Sequence, residues 1–201
     1  MIAAITRKMG RFQRSIRRYG ILSAIGRLTS ATFNRCFRAR LCVWVWNAGG
    51  PFNNPTNGVE VNRYETLESL PQTILEELIR RDGEEFLTRT TEEFVDHGVL
   101  WVATVEGQVA GYQWSCRGDF VRNWHFELTA SDVLIFSTVT FHEFRGRGIA
   151  GAILARICDE VPSGGRACAD CMVWNTPAVR CFQKAGFQKV AERKPLPDHP
   201  D

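Results

Sequence analysis

A seven-residue stretch, "RGRGIAG", constrains the fold of this 201-residue chain more than any other segment. It runs from Arg145 to Gly151 and fits the pattern G-x-G-x-x-G. An apolar, β-branched run, "DVLIFSTVTF", precedes it, and a run with helical periodicity, "AILARICDEV", follows it. Glycines between a strand and a helix let a ligand approach the backbone, and the N–H groups that begin a helix suit a phosphate. Arginines at both sides of the first glycine add positive charge, which favours an anion-binding loop over a simple turn.

Two classes of phosphate-bearing cofactor fit such a loop. A nicotinamide-binding fold would carry an acidic residue about 20 positions further on, and Asp170 lies near there. However, only 50 residues follow Gly151, which is too few for a second mononucleotide-binding half. The segment before the loop contains a two-residue hairpin signal, Glu106-Gly107, instead of repeated strand–helix units. These features exclude the nicotinamide fold.

From residue 59 onward the sequence alternates between strand-like and helix-like segments. The patterns predict strands at 59–64, 99–105, 108–116, 132–141, 167–174 and 187–194, and helices at 67–81, 83–98, about 147–159 and about 177–185. Because hairpin and crossover connections occur together, we expect an α/β (α+β) fold with a mixed central sheet covered by helices on both faces.

The first 58 residues differ from the rest in charge. They hold ten Lys or Arg and no acidic residue, whereas residues 59–201 hold fifteen basic and twenty-two acidic residues, a balance of −7. Apolar residues recur at helical spacing near the start of the chain, and a short strand, "LCVWVW", follows. We predict a basic helical extension with this strand at 1–50, a linker at 51–58 and the main domain at 59–201.

Composition narrows the cellular context. Seven cysteines without a framework spacing predict reduced thiols and a cytoplasmic protein, and "CADC" at 168–171 is interpreted as buried strand thiols, with no metal site. No apolar run reaches the roughly 20 residues that a spanning helix needs. No apolar segment typical of a secretory signal follows the N-terminal charges.

Two motifs together resemble those of the GNAT superfamily of N-acetyltransferases. "FRGRGIAGAILARI" is similar to the acetyl-CoA motif R/Q-x-x-G-x-G/A, and "WNTPAVRCFQKAGFQKV" resembles the second signature, an Asn followed by a short helix and Gly-Phe. The resemblance covers roughly residues 59–195. It implies splayed strands, here 132–141 and 167–174, with the acyl thioester of acetyl-CoA in the gap between them.

The resemblance also implies which residues hold acetyl-CoA. Backbone groups of the strand would pair with the pantetheine arm, backbone N–H groups of the loop would hold the pyrophosphate, and Asn175 would bond the pantetheine or cap the helix that follows. The implied residues are Thr138, Val139, Thr140, Arg145, Gly146, Arg147, Gly148, Ile149, Ala150, Gly151, Asn175 and Phe182.

The family's chemistry is only partly represented. A backbone N–H of the splayed strand would stabilise the acyl oxygen, which points to Val139 or Thr140. The family often carries a tyrosine seven residues after the asparagine, and Phe182 stands there without a hydroxyl. Asp170 falls where some members carry an acidic base, although a solvated or helix-capping role fits equally. His125 and Glu127 lie in a loop that either borders the acceptor pocket or forms an amphipathic edge.

The resulting prediction is an acetyl-CoA-dependent N-acetyltransferase that acts on a primary amine of a small molecule, for example an amino sugar, or of a protein. The alternative is a non-catalytic acyl-CoA-binding module with a basic arm. We expect residues 1–40 to associate with an anionic membrane surface, such as the inner membrane, or with a second copy in a homodimer. Packing on the acidic domain and a mitochondrial transit function are the alternatives, and nucleic acid is disfavoured because no known binding module accompanies the charge.

Overall fold

Three segments between residues 60 and 117 form antiparallel strands of one sheet. These are β2 (Glu60–Tyr64), β3 (Gly98–Val105) and β4 (Gln108–Arg117) in the computed structural model, which describes residues 40–52 and 58–194. The hairpin between β3 and β4 turns at Glu106 and Gly107, which both have positive φ, 50° and 75°. The hairpin predicted from the sequence is therefore confirmed. Helices α1 (Gln72–Asp82) and α2 (Glu85–Val95) connect β2 to β3.

The glycine-rich loop lies inside a crossover that joins two parallel strands. β5 (Val133–Thr140) leads through the loop into α3 (Ile149–Asp159), and β6 (Arg166–Met172) follows. β5 pairs with β4 in antiparallel and with β6 in parallel orientation, so the sheet is mixed. Helix α4 (Thr176–Lys184) and strand β7 (Gln188–Arg193) end the described part of the chain.

The short strand near the N-terminus lies inside the sheet. β1 (Leu41–Asn47) pairs in antiparallel orientation with β6 on one side and with β7 on the other, which gives the strand order β2-β3-β4-β5-β6-β1-β7. Six of its seven residues are buried. Grouping this strand with a separate N-terminal extension was therefore wrong. A strand with buried side chains on both faces and partners on both edges is an interior strand of the domain.

Helices cover both faces of the sheet, as predicted. On one face Tyr112 and Trp114 of β4 meet α2, with ring centroids 5.4 Å from Phe86 and 5.0 Å from Phe94. Gly111 faces the other way, because side chains alternate along a strand, and a Cβ there would lie 3.3 Å from Ile149 of α3. Helix α3 contacts α4, and both lie on this second face.

The face that carries α2 also carries the segment between β4 and β5, residues 118–132. Leu128 from this segment packs with Cys168 of β6 and Val45 of β1 in a small apolar cluster. The Asp132 carboxylate, 2% exposed, accepts bonds from the Arg166 guanidinium at 2.7 and 2.9 Å and from the Arg166 backbone N–H at 3.0 Å. These contacts fix the segment against β6 and β1.

The predicted basic helices within residues 1–40, and most of the predicted linker, lie outside the described residues. Within the described part, no helix is both long and apolar enough to span a membrane. The six cysteines found there are all free of disulfide bonds, and Cys168 and Cys171 are buried on β6. Burial raises the pKa of both thiols to about 12, which makes them unreactive near neutral pH.

Candidate active site

The parallel strands β5 and β6 separate after only three pairs of residues. Val133, Leu134 and Ile135 pair with residues 167–169, and beyond this point the two strands have no register. β5 continues to Thr140 and β6 to Met172, so a gap opens between their carboxyl ends. We call this the fork. The geometry agrees with the splayed strands that the sequence implied, and it leaves one edge of β5 available to a ligand that pairs like a strand.

The open edge of β5 presents backbone groups in a defined alternation. The Phe141 N–H donates to Ala110 O at 3.0 Å, and the antiparallel register places Val139 opposite Tyr112 and Thr140 opposite Gly111. In such a ladder, residues that bond to the partner strand alternate with residues whose N–H and C=O point away. The backbone groups of Thr140 therefore face the fork, and those of Val139 face β4. Of the two candidate donors to the acyl oxygen, the register favours Thr140 over Val139.

A β-bulge interrupts β5 next to the fork. The register with β4 shifts between Tyr112 and Trp114, and Ser137 adopts a positive φ of 50°, which is rare for a residue other than glycine. The Gln113 side chain, fully buried, donates from Nε2 to Thr138 Oγ1 at 2.6 Å, and its Oε1 is buried without a partner among the described residues. The bulge thus exposes Ser137 and Thr138, and the buried Gln113 side chain holds Thr138 by a hydrogen bond.

The glycine-rich loop ends in the N-terminus of α3. Gly146 and Gly148 have φ of 77° and 78°, a conformation that L-residues rarely adopt, and a Cβ on Gly146 would meet nothing within 4 Å. The first helical bond runs from the Ala152 N–H to Gly148 O at 2.9 Å, so the N–H groups of residues 149–151 precede the helical ladder. Backbone donors beside open space and the positive end of the helix dipole fit a pyrophosphate.

The two arginines of the loop have different surroundings. Arg145 Nε donates to Thr140 O at 3.2 Å and so ties the loop to the end of β5. The Arg147 side chain is exposed, with its guanidinium 5.6 Å from the centre of the Phe144 ring. Arg145 therefore shapes the loop, and Arg147 lies on the open side where it can meet an anionic ligand.

His142 and Glu143 form a short turn ahead of the loop. Glu143 pairs with Arg81 of α1, and Arg81 also bonds Glu77 and lies 4.6 Å from the centre of the Phe141 ring. Burial is the largest single influence on the pKa of Glu143 and raises it, but the hydrogen bonds from Arg81 and the backbone and the charges of Arg81 and His142 together lower the pKa of this carboxyl. The pair is a structural tie between α1 and the loop.

Asn175 occupies the N-cap position of α4. Its Oδ1 accepts a bond from the Ala178 N–H at 3.4 Å, and Pro177 lies in the first turn of the helix. The capping role considered from the sequence is thus present. A bond from this side chain to the pantetheine stays a prediction.

Phe182 lies in the core instead of at the fork. Its ring is 5% exposed, stacks on Trp44 of β1 at 5.9 Å between centroids and lies 5.3 Å from the Phe187 ring. The expectation that this side chain holds the cofactor is wrong, because β1 supplies an aromatic partner that buries it. The helix that the family signature describes is present, but this position serves packing.

Asp170 and His125, which are 45 residues apart, form a close pair at the fork. His125 Nε2 lies 2.7 Å from Asp170 Oδ2, and the two side chains are 3% and 13% exposed. Asp170 is the first residue of β6 beyond its pairing with β5. The solvated or helix-capping role considered for Asp170 is therefore wrong, because a histidine from the segment 118–132 contacts it. Glu127 of the same segment is exposed.

From the sequence, some residues of this site were identified without their contacts, and others were not identified. His125 was identified without its partner, since a contact between distant segments has no local pattern. Gln113 was missed altogether, because a single polar residue inside an apolar strand carries no signal for its orphaned amide oxygen. Among the described residues, no group of three or more His, Cys, Asp or Glu side chains could hold a metal ion.

Comparisons with known proteins place this geometry in a family. A family model described as the acetyltransferase (GNAT) family matches residues 64–187, which is more than half of the chain. The matched range contains the fork, the glycine-rich loop and the Asp170–His125 pair. No curated protein matches the sequence.

Solved structures resemble the chain in fold. A GCN5-related N-acetyltransferase from Kribbella flavida has a TM-score of 0.50 and 15% identity, over 77% of this chain and 56% of that one. A tandem GNAT protein from the clavulanic acid biosynthesis pathway has a TM-score of 0.53 and 15% identity, over 81% of this chain and 56% of that one. The chain thus spans little more than half the length of these two proteins.

A third structure, of AAC(6')-Iy with the bisubstrate analogue CoA-S-monomethyl-acetylneamine, has a TM-score of 0.50 and 19% identity. The match covers 66% of this chain and 92% of that one. At such identities the likeness concerns the fold alone, and the family model carries the assignment. With its matched range, its forked sheet and its glycine-rich loop, the chain belongs to the GNAT family of acetyltransferases.

Proposed function

We propose that the protein transfers an acetyl group from acetyl-CoA to a primary amine of a small molecule, such as an amino sugar, or of a protein. The observation that carries the proposal is the fork, which opens directly before a loop of backbone donors. An extended thiol-bearing arm and a pyrophosphate need these two elements side by side. The same strand, β5, supplies the edge for the arm and leads into the loop.

The residues at the fork fit acetyl-CoA. Gly146 is in the left-handed conformation beside open space that a side chain would fill, and the open edge of β5 offers backbone groups that β6 does not use. Acetyl-CoA would supply a thioester whose acyl carbon accepts the amine nitrogen. The Thr140 N–H would stabilise the charge that develops on the acyl oxygen. Arg147 and the N–H groups of residues 146–151 would hold the phosphates.

Charge supports a cationic or neutral acceptor. Residues 59–201 carry a net charge of −7, which attracts an ammonium group as it approaches the protein. Asp170 lies at the fork with part of its side chain exposed, where it can meet such a group. AAC(6')-Iy, whose structure holds a CoA–acetylneamine conjugate, is a precedent for an amino sugar acceptor on this fold.

Release of free thiol from acetyl-CoA, measured over a panel of amino sugars, polyamines and peptides, tests the proposal. We expect one amine class to raise the rate well above the hydrolysis seen without amine, and calorimetry to detect acetyl-CoA binding in its absence. Binding without turnover for any amine would support the non-catalytic acyl-CoA-binding module instead. No binding of acetyl-CoA would contradict both functions.

A further inference from the structure

We propose that His125 is the catalytic base that accepts the proton of the acceptor amine, and that Asp170 is the residue that positions it. The proposal rests on the acetyltransfer function above and adds the route of the proton. It concerns two residues from segments that are distant in the chain. Their contact distance, their burial and their place at the fork carry the argument.

The pair lies beside the gap in which the acyl carbon is proposed to lie. Ile135 and Ala169 are the last paired residues of β5 and β6, and Asp170 is the next residue of β6. Asp170 shares a sheet face with Cys168, since side chains alternate along a strand, and this is the face covered by the segment 118–132. The loop of backbone donors follows β5 from the same end of the sheet. The pair and the proposed phosphate site therefore border one gap.

The contact sets the state of the imidazole. A neutral histidine carries its proton on one ring nitrogen, and a carboxylate 2.7 Å from Nε2 favours the tautomer with the proton on Nε2. Nδ1 then carries the lone pair that can accept a proton. Once Nδ1 is protonated, the nearby carboxylate stabilises the imidazolium, as in other arrangements of an acid, a histidine and a nucleophile.

Packing holds His125 in place. The Trp124 ring lies edge-on to the imidazole, with centroids 4.7 Å apart, and contacts Phe126 in turn. Arg166 contacts the same segment, with its guanidinium 5.1 Å from the centre of the Phe126 ring. Arg166 also binds Asp132, which fixes the end of the segment. General-base catalysis requires a base held to within about 0.5 Å of its productive position, and these contacts restrict the imidazole.

The proton balance of the reaction is complete with this pair. An acceptor ammonium loses one proton to His125 Nδ1, and the nitrogen lone pair then forms the bond to the acyl carbon. The carbon–sulfur bond breaks, the nitrogen loses its second proton to water, and the leaving thiolate, whose thiol has a pKa of roughly 8.5, takes up one proton from water. The products are an amide, free thiol and protonated His125, which returns its proton to water. The chain therefore needs no separate acid at position 182.

Three variants test the assignment: His125→Gln, Asp170→Asn and the matched control Glu127→Gln, an exposed carboxylate of the same segment. We expect turnover with the best amine to fall about 10²- to 10⁴-fold for His125→Gln and less for Asp170→Asn. Acetyl-CoA affinity measured by calorimetry should be unchanged in all three. The acid limb of the kcat/KM profile should disappear in His125→Gln, and Asp170→Glu should restore part of the activity lost in Asp170→Asn.

A second measurement does not depend on activity. Nitrogen-15 NMR of the wild-type protein should show His125 in the Nε2–H tautomer, and Asp170→Asn should shift it toward Nδ1–H, because an amide can donate to Nε2. An Nδ1–H tautomer in the wild type, or full turnover in a folded His125→Gln, would overturn the assignment. If acetyl-CoA does not bind the wild type, the proposed function fails. If acetyl-CoA binds and is turned over, but the variants change neither the pH profile nor the tautomer, only the proposed role of the pair is refuted.

Discussion

The two sides of the fork use different chemistry. On the side of β5, the loop and α3, the groups aimed at the ligand are backbone N–H and C=O groups, which glycines at φ near 77° expose. On the side of β6, they are side chains, the Asp170 carboxylate and the His125 imidazole. The first side is one continuous stretch, residues 133–159, and the second combines β6, β1 and the segment 118–132.

This difference predicts which substitutions each side of the fork does not tolerate. A site made of backbone groups tolerates most changes of side chain, but it fails when a glycine that permits the conformation gains a Cβ. A site made of side chains depends on the packing that holds them, and here that packing includes a strand from the start of the described chain. The following predictions test the two sides separately, from the largest expected effect to the smallest.

The largest effect should follow from a charge in β1. Val43 is fully buried and lies opposite Asp170, so Val43→Asp buries an unpaired carboxylate beside another one. We expect a loss of about 3–5 kcal/mol in the free energy of unfolding, measured by urea denaturation. Val190→Asp is the control, since Val190 on the neighbouring strand is 53% exposed, and it should change stability by no more than about 0.5 kcal/mol.

The same experiment tests the domain boundary. If β1 belonged to an appended segment, Val43→Asp would leave the unfolding of the remaining sheet unchanged. Its two ladders, with β6 and with β7, instead predict a single cooperative transition at lower urea. Two separate transitions in the wild-type protein would contradict this view of the sheet.

The sequence predicted the β5 side almost completely for a physical reason. Each element on this side is encoded by residues that are neighbours in the sequence. A β-branched apolar run encodes the strand, glycines encode the turn, and helical periodicity encodes the helix. The position of β1 was not predictable in this way, because the apolar run "LCVWVW" indicates a buried strand but does not indicate which strands pair with it. Phe182 was misassigned for the same reason, since its partner Trp44 lies in β1. Contacts between distant segments decide the β6 side.

A carboxylate in the loop should affect ligand binding more than stability. Gly146→Glu places an L-residue at a φ of 77° and a negative charge where phosphates are proposed to lie. Lost donors and charge repulsion, at about 1–3 kcal/mol for each contact, predict roughly 100-fold weaker acetyl-CoA binding by calorimetry.

Gly164→Glu is a matched control for the backbone strain. Gly164 has a φ of 78°, and a Cβ there would likewise meet nothing within 4 Å, but it lies in the turn before β6. Both variants should lose similar stability, and only Gly146→Glu should lose affinity. Equal affinities would show that the loop is a turn without a role in binding.

The smallest effect concerns Asp132, which ties the segment carrying His125 to β6. Bonds from Arg166 hold the pKa of this carboxyl at about 2, against about 3.9 for an unfolded chain. Because the folded pKa is depressed, the pair stabilises the protein above pH 4 by about 2 kcal/mol, and this contribution disappears as the pH falls from 4 to 2. The difference in unfolding free energy between the wild type and Asp132→Asn should therefore be full at pH 7 and small near pH 2. As a control, Asp119→Asn removes an exposed ion pair between Asp119, of the same segment, and Arg117, and solvent screening predicts little change in the unfolding free energy at either pH.

A difference between wild type and Asp132→Asn that stays constant from pH 7 to pH 2 would mean that the shape of the side chain, and not the charge on Asp132, holds the segment in place.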